Sequence, residues 1–180
     1  MECLIQYLLM VRDETMKPHM ETISEDNVRS SLNFSFVIPG KLAGLAHPRS
    51  IRPDSIWIDF LLKNQVHALV NLTEYSYSQE VDSQIEFLDY PVPDFGVISL
   101  EQMDSIYEKY KSMEPEKAMA VHCLAGRGRT GMVLACIAAR ELGMKPLDAI
   151  FFIRHLRYGS IETGEQEEFV EEWVYTRCQI

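Results

Sequence analysis

The stretch Val121-His122-Cys123-Leu124-Ala125-Gly126-Arg127-Gly128-Arg129-Thr130-Gly131 puts a cysteine and an arginine at the two ends of a short glycine-bearing turn. Ahead of it, Ala118 to His122 reads as a short buried strand; behind it, Met132 to Leu142 is apolar nearly all round, the pattern of a buried central helix. A strand-to-helix turn gathers successive backbone N–H groups toward one point, and the first N–H groups of the helix, lacking intrahelical partners, aim at the same point. A dianion is welcome there. Near a helix N-terminus or a cation a thiol pKa falls from about 8.5 to roughly 3.5 to 7.5, so Cys123 is expected to be largely thiolate, the nucleophilic form. Arg129, always charged and two-pronged, suits two phosphoryl oxygens while Cys123 approaches phosphorus from the opposite side. Gly126 and Gly128 are expected to let the backbone come close and adopt positive φ.

The run His-Cys-x5-Arg-Thr-Gly resembles the signature of the cysteine-dependent protein tyrosine phosphatases. The stretches Val37-Ile38-Pro39-Gly40-Lys41-Leu42-Ala43-Gly44-Leu45-Ala46, Pro91-Val92-Pro93-Asp94-Phe95 and Gly159-Ser160-Ile161-Glu162-Thr163 are similar to the small atypical dual-specificity phosphatases of the VHZ type. This resemblance runs from Asn33 to the end of the chain and implies a single α/β domain with a central mixed, mostly parallel sheet flanked by helices. It also implies hydrolysis of phosphate monoesters through a phosphocysteine, with no metal and no other cofactor.

Thiolate attack expels an alcohol or phenolate, a poor leaving group until protonated, so the site needs a general acid from another segment. Asp94, next to Pro91 and Pro93 in a stiffened loop, matches the family's acid position; Asp89, inside the strand-like Ile85 to Tyr90, is the fallback. Leu124, Ala125, Gly126, Arg127, Gly128 and Arg129 correspond to the phosphate-binding loop. Thr130 matches the hydroxyl residue that in this family hydrogen-bonds the departing thiolate, and helix capping is its other role. His122, in the family, sets the cysteine's environment through hydrogen bonds rather than shuttling protons. Glu162 and Gln166, just past Tyr158-Gly159-Ser160, either position the attacking water or cap the last helix, and both readings stay open.

Arg127 adds charge at the pocket rim. A similar placement in the phosphoinositide-directed branch makes a lipid headgroup or polyphosphate the alternative substrate, but that branch often has a second basic residue directly after the cysteine, where this chain has Leu124. The acid preceding the cysteine in the chain separates this pattern from low-molecular-weight phosphatases and related arsenate reductases. About 150 residues leave no room for the loop that deepens the classical phosphotyrosine pocket. A shallower pocket would admit phosphoserine and phosphothreonine beside phosphotyrosine. A phospho-binding pseudophosphatase, the rival from another class, usually lacks the cysteine, the arginine or the acid, and here all three are present.

At 180 residues and 47% apolar, the chain suits one domain with a single core. Its net charge of −10 argues against broad nucleic-acid binding and against acidic membranes; an RNA 5′-phosphatase, which shares the signature in some lineages, is the other alternative using the same chemistry, although an acidic surface gives no basic track for RNA. The phosphate site is then a local positive spot on an acidic body. A phosphorylated protein or peptide is the expected partner and phosphate or vanadate the expected ligand, with the protein a monomer. Cys3, Cys123, Cys136 and Cys178 show neither metal-ligand spacing nor a disulfide framework, which fits a reducing cytoplasm, with the nucleus also open. Cys136 reads as packing within the apolar helix. The sequons at Asn33 and Asn71 are accidental on this reading, no run is long enough to cross a membrane, and Leu4 to Val11 lacks the flanks of a signal peptide.

Residues 1–31 are expected to form an N-terminal extension, partly ordered, ahead of a catalytic domain over 32–180; Lys17 to Ser31 is the part expected to lack order. Strands are expected at Phe34 to Ile38, Leu42 to Leu45, His67 to Leu72 and Ile85 to Tyr90, with Tyr75 to Ser83 a polar loop that could line the pocket. Helices are expected at Pro53 to Leu62, Leu100 to Lys111 and Leu147 to Leu156. In the last helix Phe169, Val170, Trp173 and Val174 form a stripe read as core.

Overall fold

The computed structural model describes residues 24–76 and 84–177. In these residues five strands form one sheet: β1 (Ser35–Ile38), β2 (Leu42–Ala46), β3 (Val66–Asn71), β4 (Glu86–Asp89) and β5 (Ala118–Cys123). Their order is β1-β2-β5-β3-β4; β1 pairs antiparallel with β2, and the other three pairings are parallel. The sheet is thus mixed and mostly parallel, as expected. Six α-helices flank it: α1 (Glu25–Ser31), α2 (Asp54–Lys63), α3 (Leu100–Ser112), α4 (Gly128–Leu142), α5 (Pro146–Leu156) and α6 (Gly164–Arg177).

Side-chain alternation along each strand sorts the core into two layers. Ala118 and Ala120 of β5, with Ala43, Leu45 and Leu69, pack under α1 and α2 around Trp57, Phe60 and Phe34. Met119, Val121 and Cys123 face the opposite layer, with Leu42, Ala68 and Val70, against α3 to α6. All twelve residues from Gly128 to Ala139 are buried, which makes α4 the central helix of that layer. The stripe Phe169, Val170, Trp173 and Val174 is buried there too. Parallel strands covered on both faces leave their carboxyl ends as the open edge, where ligands bind in such folds. Cys123 closes β5 at that edge, with Asn71 ending β3 beside it.

Two expectations change. Helix α4 begins at Gly128 rather than near Met132, so Gly128, Arg129 and Thr130 form its first turn. The end of the stretch expected to lack order, Glu25 to Ser31, is helical, capped by Ser24 and with Val28 buried. Its anchor is local: Arg29 lies over the Phe34 and Phe60 rings and donates to Asn64 Oδ1 at 3.0 Å. The apolar patch Leu4 to Val11, Cys3, Cys178 and residues 77–83 of the polar loop lie outside the described residues. No helix among the described residues is long and apolar enough to cross a membrane.

Candidate active site

The turn from Cys123 to Gly128 wraps back on β2. The amide of His47 donates to Leu124 O at 3.1 Å, and Arg157 Nη2 donates to Gly126 O at 2.8 Å. Gly126 has φ +68°, and a Cβ there would strike the Leu45 carbonyl, so no other residue fits without displacing backbone. Gly128 does not take a positive φ, contrary to expectation. Its requirement is space, since a Cβ would lie 2.5 Å from Glu162 Oε2. The amides of Leu124, Ala125, Gly126 and Arg127 donate to no group among the described residues. With carbonyls held outward and these amides without acceptors, the turn is a ready anion cradle.

Cys123 is 3% exposed at the floor of this turn. Arg129 is 4% exposed and held from the side: Nη1 donates to Val92 O at 2.8 Å and Leu72 O at 3.4 Å, while Nη2 donates to Asp94 Oδ1 at 2.7 Å. The sequence alone gave no sign of this bracing by the ends of β3 and the acid loop. Asp94 stands on a tight turn closed by Gly96 N to Pro93 O, with buried Val92 as its root and its own side chain 60% exposed. Asp89, the fallback, instead accepts from Asn71 Nδ2 at 2.8 Å at the end of β4. Asn71 is wholly buried in a network with Thr73 and the Tyr75 carbonyl, which also closes it to glycosylation.

His122 is fully buried behind the cysteine, and Nδ1 lies 3.2 Å from Cys123 O. Burial pushes its pKa down to about 3, so the ring is neutral at physiological pH. Thr130 is buried in the first turn of α4, and Oγ1 has no hydrogen-bond partner among the described residues. It does not cap the helix: the N-cap position is Arg127, with no side-chain cap, and it is Glu162 Oε2 that accepts the Gly128 N–H at 3.0 Å. Arg127 is exposed at the rim beside Gly159.

Glu162 and Gln166 come together over the start of α4. Gln166 Oε1 accepts from Glu162 N at 2.9 Å, and its Nε2 donates to Gly96 O at 3.2 Å, tying this corner to the acid loop. The cap of α6 is Thr163, whose Oγ1 accepts from Gln166 N and donates to Phe95 O. Neither Glu162 nor Gln166 therefore caps the last helix through its side chain. Arg154 holds the corner from beneath by donating to the carbonyls of Ser160 and Ile161 and to Glu167.

The profile of the "PTP-SAK: Swiss Army Knife protein, DSP-PTPase phosphatase domain" family matches residues 31–170, which take in all five strands, the turn, helices α2 to α5 and the first half of α6. The chain belongs to this phosphatase family. Human dual specificity protein phosphatase CDC14A is 29% identical over 151 residues, covering 78% of this chain but only 25% of CDC14A. The PRL-1 phosphatase of Drosophila melanogaster is 35% identical over 133 residues, covering 68% of this chain and 73% of that protein. Among solved structures, Tk-PTP in its active form superposes with a TM-score of 0.67 at 29% identity, over 78% of this chain and 95% of its own. The chain thus spans about a quarter of the length of CDC14A and most of the length of Tk-PTP and PRL-1.

Proposed function

We propose that this phosphatase hydrolyses phosphate monoesters on protein side chains, phosphotyrosine together with phosphoserine and phosphothreonine, through a phosphocysteine on Cys123. The observation that carries the reading is the 2.7 Å contact between Arg129 Nη2 and Asp94 Oδ1. It brings the acid loop to the arginine that closes the same turn as Cys123.

In the first step the Cys123 thiolate forms a bond to phosphorus while the bond to the ester oxygen breaks, and protonated Asp94 gives that oxygen its proton. Arg129 and the amides of Leu124 to Arg127 neutralise the equatorial oxygens as charge redistributes. In the second step water attacks phosphorus, Asp94 takes the proton from the water, and the thiolate leaves as phosphate forms. Thr130 Oγ1, buried one residue past Arg129 without a partner among the described residues, is available to hydrogen-bond that thiolate. Glu162 positions the water, and Gln166, whose amide atoms bind the Glu162 N–H and the Gly96 carbonyl, holds it in place. His122, neutral and buried, serves the loop's geometry and not proton transfer.

Hydrolysis of an aryl phosphate in chelator and reductant tests this reading. Turnover that is blocked by vanadate and lost in Cys123→Ser is expected; turnover that survives in Cys123→Ser overturns it. Exposed Arg127 favours a second anionic group beside the phosphate and sustains a phosphoinositide as the second reading. Parallel assay of tyrosine phosphopeptides and phosphoinositide micelles separates the two, and the first reading predicts the higher kcat/KM on peptides.

A further inference from the structure

Arg157 follows α5 as its C-cap and is 4% exposed. Its Nη1 donates to Asn33 O at 2.8 Å, Ser35 Oγ at 2.6 Å and Gly44 O at 2.9 Å; its Nη2 donates to Gly126 O at 2.8 Å. All four acceptors are neutral, and no carboxylate pairs with it among the described residues. A buried cation without a counter-ion is costly. The fold nevertheless makes room for it. A Cβ on Gly44 would lie 2.7 Å from Leu134 Cδ1 and 2.9 Å from Arg157 Cζ, so β2 carries a glycine in mid-strand where a larger residue would close the space that α4 and Arg157 share.

The peptide plane explains what this arrangement does. A trans peptide is planar, with its C=O and the following N–H pointing in opposite directions. Fixing Gly126 O against Arg157 therefore turns the Arg127 N–H to the far side, away from Arg157. That amide has no acceptor among the described residues. We propose that Arg157 is a positioning residue: it orients the Gly126–Arg127 peptide so that the Arg127 N–H meets a phosphoryl oxygen, and its buried charge faces the anions of the site, the Cys123 thiolate and the bound phosphate. Burial lowers the Arg157 pKa to about 10, with the charge of Cys123 opposing the fall, so the guanidinium stays protonated at neutral pH. The inference rests on the reading of the turn as a phosphate cradle.

The test compares wild type with Arg157→Lys, Arg157→Met and Ser35→Ala in thermal stability, kcat and KM on an aryl phosphate, and vanadate and inorganic phosphate binding. Lys keeps the charge and loses the fork. The expected result for Arg157→Lys is a kcat about 10²-fold lower with KM within about threefold, and vanadate weakened more than phosphate, because the reoriented amide acts mainly in the transition state. Arg157→Met should lose more on every readout. Ser35→Ala removes one tie while leaving the Gly126 contact, and should lower the melting temperature with kcat within about twofold of wild type. The proposal is overturned if folded Arg157→Lys retains wild-type kcat and vanadate affinity, or if kcat in Ser35→Ala falls as far as in Arg157→Lys, since loss would then follow stability and not loop orientation. Should Arg157→Met fail to fold, the Lys and Ser35 variants still decide. If wild type shows no Cys123-dependent turnover, the phosphatase mechanism falls, and vanadate and phosphate binding by the same variants still tests Arg157.

Discussion

Asp94 is the residue at which the mechanism can be dissected, because a general acid matters in proportion to how badly the leaving group needs a proton. Asp94→Ala is expected to lower kcat about 10² to 10⁴-fold on an alkyl phosphate and much less on an aryl phosphate with an acidic phenol. Equal losses on both would remove Asp94 from the role. His122 yields a stability prediction of definite sign. Its folded pKa, about 3, lies below the ordinary value of 6.5, so between these limits the unfolded chain binds the extra proton. The stability it confers is fully present above pH 6.5 and is lost as pH falls toward 3, at up to about 1.4 kcal/mol per pH unit. Urea unfolding at stepped pH should show this slope, and His122→Gln should flatten it. At this scale the sequence singled out Cys123, Arg129 and Asp94 by residue type and spacing, and the fold brings Asp94 to Arg129 beside the turn that Cys123 opens. Arg157 escaped notice because its meaning lies in acceptors more than a hundred residues away, in β1 and β2.

Among the elements, the corner from Gly159 to Gln166 and the first turn of α4 approach so closely that two glycines of the turn report on different things. A Cβ on Gly131 would lie 2.7 Å from Ser160 Cβ and 2.9 Å from Ile161 N, so the segments must part. A Cβ on Gly128 meets chiefly the Glu162 carboxylate, which can swing away. Gly131→Ala is accordingly expected to cost about 1 to 3 kcal/mol of stability. Gly128→Ala should cost less and instead lower kcat by releasing Glu162; thermal melts beside kcat measurements distinguish the two. The elements themselves were legible from their patterns, strands from alternation and α4 from its continuous apolar run. The start of α4 was not, since its first turn is written in glycine, arginine and threonine, residues that read as loop until their burial is seen. Helix α1 was missed for a related reason: a short polar helix carries one buried residue, Val28, and depends on contacts with Phe34, Phe60 and Asn64.

For the whole molecule, the central contrast is between a net charge of −10 and the proposed role of the turn in holding a dianion. The cradle works at short range, through N–H groups and Arg129 at hydrogen-bond distance, while the body repels acidic partners over a Debye length of about 10 Å at 0.1 M salt. Phosphopeptides flanked by lysine or arginine are therefore expected to show higher kcat/KM than the same peptides flanked by aspartate or glutamate. The ratio should shrink as salt is raised from 0.05 to about 0.5 M; a salt-independent ratio would point to local contacts instead. Net charge was legible from composition alone, and the single mixed sheet from the motifs that carry the resemblance. Strand order was not, because β5 enters between β2 and β3 through pairings distant in sequence, and the site forms where those ends meet. The most direct test of the mechanism is rapid acid quench of Asp94→Ala during turnover of an aryl phosphate, followed by peptide mapping. The account predicts a phosphoryl group on Cys123 and none in the Cys123→Ser protein; phosphate release in wild type with no phosphorylated cysteine at any quench time, and undiminished turnover in Cys123→Ser, would contradict it.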